Sequence, residues 1–243
     1  MNYGLILAGG VGQRMRNTGL PKQFLEVFGK PIIIYTLQKF ENCKDIDEVI
    51  IACHCSWKDH LEKLIKQYEL KKVKNIISGG KDRQDSILNG INYLENNGAN
   101  DNDLIVIHDG VRPLIKENII SENIAVASKF KCAITTHPVI ETVVITDNDN
   151  ASFEDFKKRD ATFSLTSPQT FQLGLLKKIY NNINNINAPI PLLDAALIYT
   201  YLGNKIPLIK DMNNNLKITT PDDYYTLKAL LELDENKNVF GLS

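Results

Sequence analysis

Leu5-Ile6-Leu7-Ala8-Gly9-Gly10-Val11-Gly12-Gln13-Arg14-Met15, followed by Leu20-Pro21-Lys22-Gln23-Phe24, is the segment around which the rest of the chain is arranged. An apolar run ending in three glycines within four positions predicts a buried first strand that feeds a bare-backbone loop, where amide groups approach a ligand closely. Arg14 and Lys22 stand on either side of a polar connector, within reach of any anion the loop receives. The pattern suits a charged nucleotide, with the backbone of Leu7, Ala8, Gly9, Gly10 and Gly12 as its cradle. Two commoner glycine motifs fail. A Walker A loop requires Lys-Ser/Thr after its last glycine, and a dinucleotide fingerprint requires a third glycine where Met15 stands. A turn carrying two solvated cations is the competing reading, and the loop alone does not separate the two.

Outward from this stretch, composition narrows the class. The chain has 243 residues and is 43% hydrophobic, enough for a core of one large α/β domain or two small ones. A net charge of −1 gives no global attraction to nucleic acid or to an anionic membrane, so local clusters must do the electrostatic work. Cys43, Cys53, Cys55 and Cys132 form no Cys-x-x-Cys pair, which suits reduced thiols. Cys53-His54-Cys55 reads as a strand tip with buried thiols rather than a metal site, since no second ligand cluster accompanies it. No apolar run approaches the ~18 residues of a membrane span, and Met1-Asn2-Tyr3 enters the first strand without a basic leader. A soluble, cytoplasmic protein is expected.

In chain order, strands and helices alternate. Pro31 to Phe40 has helical apolar spacing, Val49 to Cys53 is a buried-strand run, and Trp57 to Leu70 is an amphipathic helix with Leu61, Leu64 and Ile65 inward. Val73 to Ile77 is a strand closed by Ser78-Gly79-Gly80, after which Asp82 starts a helix over Arg83 to Leu94. Leu104 to Ile107 is a strand closed by His108-Asp109-Gly110-Val111-Arg112-Pro113. Such alternation predicts a mostly parallel sheet covered by helices, with ligands beyond the carboxyl ends of its strands, where all three unusual loops fall. Ser86, one turn into its helix, can offer a hydroxyl to a base or phosphate, or is an ordinary first-turn serine. Asp109 either caps its own turn or presents a carboxylate to a ribose hydroxyl or to magnesium.

Between Cys132 and Phe171 the pattern changes. Thr135 to Ile145 and Ala161 to Thr166 are β-rich runs around a polar stretch, Asp147 to Asp155, which predicts an excursion from the sheet, an arm over roughly 137–170. Lys217 is expected on a short strand before the capped helix start Thr220-Pro221, with that helix ending near Leu231 and a surface tail from Glu232.

The opening motif, Ala8-Gly9-Gly10-x-Gly12-x-Arg14-Met15 with Pro21-Lys22-Gln23-Phe24, resembles that of the cytidylyltransferases which make CDP-alcohols from CTP, the family of methylerythritol-phosphate and ribitol-phosphate cytidylyltransferases. The resemblance continues to about Leu230. It implies a single Rossmann-like nucleotidyltransferase domain over 1–243, in which Gly80, Arg83, Ser86 and Asp109 line the nucleotide pocket. His108-Asp109-Gly110-Val111-Arg112-Pro113 resembles the family's His-Asp-Ala-x-Arg-Pro and makes Arg112 a substrate ligand. Thr142, Arg159 and Thr166 fall where the family contacts the alcohol phosphate. The 137–170 arm there clasps a second subunit and gives it an arginine, which implies a homodimer. Lys217 becomes the third phosphate-contacting cation. Ser167 departs from the family's Thr-Pro-Gln, and Leu192-Leu193-Asp194 lacks its usual hydroxyl and acidic residues.

The implied reaction is in-line attack of a polyol phosphate on the α-phosphorus of CTP, with Arg14, Lys22 and Lys217 bridging phosphates and Mg2+, held by Asp109, orienting the triphosphate. Cys55-Ser56-Trp57-Lys58-Asp59-His60, Pro21-Lys22-Gln23-Phe24-Leu25 and His108-Asp109-Gly110-Val111-Arg112-Pro113 together look more like the ribitol 5-phosphate branch, which feeds teichoic-acid and capsule synthesis; methylerythritol 4-phosphate is the alternative acceptor. Two other classes remain on sequence grounds. A glycosyltransferase would use Asp-x-Asp, whose letters occur at Asp101-Asn102-Asp103 and Asp147-Asn148-Asp149 away from strand ends, and a non-catalytic nucleotide-binding protein would share the fold.

Overall fold

The computed structural model describes residues 1–10, 19–146, 153–183 and 194–240. Its centre is β1 (Asn2–Ala8), the apolar run before the glycines. Leu5 and Ile6 are both fully buried, on opposite faces of the strand, and each packs into a different helical layer. The chain then forms a small hairpin, β2 (Glu26–Val27) and β3 (Lys30–Pro31), followed by α1 (Ile32–Asn42), β4 (Glu48–Cys53), α2 (Lys58–Gln67), β5 (Val73–Ser78), α3 (Arg83–Asn96), β6 (Leu104–Asp109) and α4 (Glu117–Phe130). The second half holds β7 (Cys132–Pro138), β8 (Val144–Thr146), β9 (Phe153–Phe156), β10 (Phe163–Gln172), α5 (Leu173–Asn181), α6 (Ala195–Tyr201), β11 (Leu208–Lys210) and α7 (Pro221–Phe240).

The main sheet has the order β11-β7-β10-β6-β1-β4-β5. Strand β1 pairs in parallel with β4 and β6, β4 with β5, and β7 with β11, whereas β10 runs antiparallel to both β6 and β7. The expected α/β sheet with helices on both faces is therefore present. One layer packs α1, α2 and α4 on Ile6, Ile51 and Val106; the other packs α3, α5 and α6 on Leu5, Ile50, Ile105 and Ile107. At Gly90 in α3 a side chain would meet Leu5 Cδ2 at 2.6 Å, so glycine sets how closely that helix approaches β1. Because β4 and β6 flank β1 on opposite sides, strand order switches there, and a crevice opens at the carboxyl ends of β1 and β6.

Four boundaries differ from expectation. Strands β7 and β10 belong to the main sheet, with Pro138 opposite Phe163 and His137 opposite Ser164, so the excursion lies inside residues 139–162 and carries the hairpin of β8 and β9. Helix α7 continues to Phe240 because no Gly or Pro interrupts it before Gly241. Its start is a reciprocal cap: the Asp223 carboxylate accepts from the amides of Thr219 and Thr220, each at 2.7 Å, and Thr220 Oγ1 accepts from the Asp223 amide at 3.4 Å. Lys217 lies in extended chain rather than a strand, since its segment makes one backbone bond, Ile218 N–H to the Val111 carbonyl at 2.9 Å, and no ladder. Cys55 is exposed, two residues past the strand end; Cys43, Cys53 and Cys132 are buried, and all four are free thiols.

Candidate active site

The glycine loop is held from below. Gln23, 1% exposed, donates from Nε2 to the carbonyls of Ala8 at 2.9 Å and Gly10 at 3.2 Å, which ties the Lys22–Phe24 turn to the end of β1. The Phe24 ring sits 5.2 Å from Trp57 and edge-on to His60 at 4.9 Å, so the segment bearing Lys22 is braced on the start of α2. Gln23 carried no signal in the sequence; its amide is a second reason for the Lys-Gln-Phe spacing.

The end of β5 supplies the second wall. Asp82 caps α3 by accepting from the Asp85 amide at 2.9 Å, and Ser86 Oγ donates to the Asp82 carbonyl at 2.8 Å while accepting from the Gly80 amide at 2.9 Å. A side chain at Gly80 would fall 2.1 Å from Asp85 Cβ, so this tight loop requires glycine. Ser86 is thus both a first-turn helix serine and a residue of the cleft.

Asp109 ends β6, inside the strand rather than in the loop after it, and joins distant parts of the chain. Its carboxylate is paired with Arg83, with Arg112 Nε at 3.1 Å and with Lys217 Nζ at 3.1 Å. Burial opposes its ionisation, but the charges of Arg83, Lys217 and Arg112 outweigh that penalty and hold the carboxyl well below the usual carboxylate range. Leu7, Ala8, Gly9, Gly10, Lys22, Gly80, Arg83, Ser86, Asp109 and Lys217 all line one cleft, together with Gln23, Lys81, Asp82 and Val111. Among the described residues, four cations face two carboxylates there, an excess that favours a polyanion. Gly12 and Arg14 lie outside the described residues.

A second pocket adjoins the first. Arg112, Thr166 and Lys217 line it with His137, Ser164, Leu165, Asp211, Asn214, Asn215 and Leu216. Lys217 is common to both.

Beneath the two runs a polar network that sequence did not reveal. The Asp109 amide donates to Ser167 Oγ at 3.3 Å, Ser167 lies 3.0 Å from His108 Nδ1, and His108 Nε2 faces the Arg112 carbonyl at 3.3 Å. A carbonyl only accepts, so Nε2 carries the proton and Nδ1 accepts from Ser167. Burial pushes the His108 imidazole down to about 3, against the opposing pull of Asp109. Asn215 closes the network: its Nδ2 donates to the Ser167 carbonyl at 2.7 Å and its own carbonyl accepts from Arg112 Nη1 at 2.8 Å. The serine that departs from the family motif is therefore the buried link between Asp109 and the second pocket.

Arg159 and Thr142 are not among the residues lining either pocket. They meet each other on the excursion, Arg159 Nη2 donating to Thr142 Oγ1 at 3.4 Å, and both are exposed. Asp101 and Asp103 bind Lys177 at 3.2 Å and the Met1 amino group at 2.5 Å, which makes that Asp-x-Asp a structural turn; Asp147-Asn148-Asp149 lies outside the described residues. His54 Nδ1 accepts from the Ser56 amide, and among the described residues no group of three or more His, Cys, Asp or Glu could hold a metal ion.

Residues 3–233 match the family model of IspD, 2-C-methyl-D-erythritol 4-phosphate cytidylyltransferase. The chain belongs to the IspD cytidylyltransferase family. Within it, the chain is similar to proteins named ribitol-5-phosphate cytidylyltransferase. One from Vibrio parahaemolyticus serotype O3:K6 is 40% identical, with 99% of this chain and all of the relative covered. Another, from Streptococcus agalactiae serotype Ia, is 38% identical over the whole of both chains. Among solved structures, the 4-diphosphocytidyl-2C-methyl-D-erythritol synthase of Anaerococcus prevotii superposes with a TM-score of 0.81 at 25% identity, covering 95% of this chain and 96% of its own. A cytidylyltransferase must hold a nucleoside triphosphate beside a second phosphate. In this IspD-family chain, two pockets share the Lys217 ammonium.

Proposed function

We propose that this enzyme condenses CTP with D-ribitol 5-phosphate to give CDP-ribitol and pyrophosphate. The observation that carries the reading is Lys217, anchored on Asp109 and lining both pockets, because one cation can then span the two phosphates that must react. The names of the full-length relatives support ribitol 5-phosphate as the acceptor. Leu7 to Gly10, Gly80, Arg83 and Ser86 would cradle the nucleotide, and Lys22, Lys217 and Arg14 would bear on its phosphates. Arg112 and Thr166 would receive the acceptor phosphate.

An oxygen of the acceptor phosphate attacks the α-phosphorus in line, the bond to the bridging oxygen breaks, and pyrophosphate leaves with that electron pair. The attacking monoester is already largely ionised near pH 7, so no general base is required. This agrees with a His108 that is buried and committed to the network. The chain's residues align two polyanions and meet charge on the departing oxygens.

Magnesium fits the donor set in a limited way. Asp109 and Asp82 are the carboxylates on the nucleotide cleft among the described residues, and a cation that keeps its waters and binds triphosphate oxygens needs no more. When bound, Mg2+ would neutralise and orient the triphosphate, with Asp109 as its protein ligand.

The working unit in this reading is a homodimer. The excursion inside residues 139–162 exposes Ile140, Val144, Ile145 and Phe156, an apolar surface beside Arg159 and Thr142 that a second subunit would cover. Arg159 would then act on the partner's acceptor phosphate. Buried free thiols at Cys43, Cys53 and Cys132 suit a cytoplasmic protein, and among the described residues no helix is long and apolar enough to cross a membrane.

The test is pyrophosphate release from CTP, UTP or ATP, each with ribitol 5-phosphate, methylerythritol 4-phosphate or glycerol 3-phosphate. CTP with ribitol 5-phosphate should give the largest kcat/KM. Preference for methylerythritol 4-phosphate would move the acceptor assignment, and equal use of ATP would remove the nucleotide assignment.

A further inference from the structure

Two residues that line the second pocket, Asp211 and Asn215, carry buried acceptor atoms that the protein leaves unsatisfied. Asp211 is 0% exposed, and its Oδ1 accepts from the Asn213 amide and from Asn213 Nδ2, each at 2.9 Å, while Oδ2 has no hydrogen-bond partner. Asn215 is in the same state. Its Nδ2 is committed to the Ser167 carbonyl, which fixes the amide orientation, and its buried Oδ1 has no partner. Leaving such groups unmade costs stability, and a ligand hydroxyl drawn against this wall would complete them.

We propose that Asp211 and Asn215 read the hydroxyls of the acceptor's polyol chain, and so set specificity at the second pocket. This inference rests on the acceptor assignment made above. Both unpartnered atoms are acceptors, and a hydroxyl is the part of a polyol phosphate that donates. A phosphate dianion offers no proton and is repelled by a carboxylate, whereas Arg112 and Lys217 in the same pocket attract it. The pocket thus orients its ligand, phosphate toward Lys217 and the shared boundary, hydroxyls toward Asp211 and Asn215. The Asp211 wall is rigidly placed. Its amide donates to the Thr136 carbonyl at 2.8 Å and its carbonyl accepts from His137 Nδ1 at 2.9 Å, both on β7 of the main sheet. A chain with a methyl branch, or lacking a hydroxyl, would leave an acceptor buried and unpaired, the case in which polar sites discriminate most strongly.

The test uses Asp211→Asn, which keeps the Oδ1 acceptor for Asn213 and replaces Oδ2 by a donor. The KM for ribitol 5-phosphate should rise at least about tenfold while the KM for CTP stays within about twofold and the melting temperature holds. An unchanged acceptor KM in the folded variant means that solvent alone satisfies the orphan oxygens, and overturns the proposal. Should the variant fail to fold, wild-type protein with ribitol 5-phosphate analogues each lacking one hydroxyl decides. At least one analogue should lose about tenfold or more in kcat/KM, and uniform turnover across the series refutes hydroxyl reading. If the wild-type protein uses a different polyol phosphate, the same comparison is run on that acceptor. Absence of pyrophosphate release with every polyol phosphate overturns the functional reading itself, and this inference with it.

Discussion

The cleft beside the glycine loop and the pocket beside Thr166 share Lys217 but are lined by opposite chemistry. The first presents bare backbone and four cations, and its Ser86 is already committed to Gly80 and Asp82. The second sets Arg112 and Lys217 against a wall in which Asp211 and Asn215 keep unpartnered acceptor atoms. Phosphates need donors and hydroxyl chains need acceptors, so the division suits the proposed reading, with the triphosphate on one side and the polyol on the other. It also explains why family-level resemblance reaches the nucleotide side more readily than the acceptor. The phosphate apparatus is set by glycines and cations at fixed spacing, whereas the polyol wall depends on a segment without regular structure, residues 211–219.

The largest expected effect tests the shared cation. Lys22→Ala and Lys217→Ala should each lower turnover at least about a hundredfold, since loss of one preorganised charge costs about 2.7–4 kcal/mol in the transition state. Of these two lysines Lys217 borders both pockets and Lys22 the nucleotide cleft, so loss of Lys217 should also raise the KM of both substrates, whereas loss of Lys22 should raise that of CTP alone. A near-native rate for either variant removes that lysine from the mechanism.

Next in size is Arg159→Ala, expected to raise the KM of the acceptor about tenfold or more and to leave that of CTP unchanged. Mixing Arg159→Ala chains with Lys22→Ala chains should restore activity in heterodimers that carry one intact site. If subunits exchange and activity stays at the parental level, Arg159 serves its own chain and the second pocket is complete without a partner.

The layer beneath both pockets should show in the pH dependence of stability. His108 titrates near 3 in the folded protein but near 6.5 when unfolded, so between these values only the unfolded chain binds the proton. Stability is therefore full above about pH 6.5 and falls by about 1.4 kcal/mol per unit as pH drops below it. Asp109, held below its ordinary range, adds a loss only at pH values under about 3.8. Urea unfolding from pH 7 to pH 5 should show the slope, and His108→Asn should flatten it; an equal slope in the variant assigns the effect elsewhere.

The smallest effect is expected at Gly110, where related motifs carry alanine. An added Cβ would lie 3.2 Å from the Leu7 carbonyl oxygen and 3.3 Å from Ile6 Cγ2, a tight but not prohibitive fit. Gly110→Ala should cost about 1 kcal/mol in thermal unfolding and alter neither KM. A changed acceptor KM would mean that this loop couples to the second pocket more strongly than its packing indicates.

The parallel half of the sheet, its covering helices and the loops at its carboxyl ends were legible in the sequence, because alternation and helical spacing encode which faces are buried within a few residues of each other; the places of β7, β10 and β11 came only with the assembled sheet. The sequence also named the cleft, since glycines that let backbone approach a ligand and cations next to them are local signals. Where it failed, the failures were non-local. Ser167 looked like a motif irregularity and became the buried link to His108 and Asp109, 59 and 58 positions away, and Lys217, expected on a short strand, lies in extended chain where Asp109 anchors it. Nothing in Asp211-Met212-Asn213-Asn214-Asn215 announces a site. Which of its polar atoms are buried, and which of those lack a partner, depends on β7, on Ser167 and on Arg112, the last of these 103 residues from Asn215. Local pattern fixes which face turns inward; only the assembled chain fixes which hydrogen bonds are left for a ligand to make.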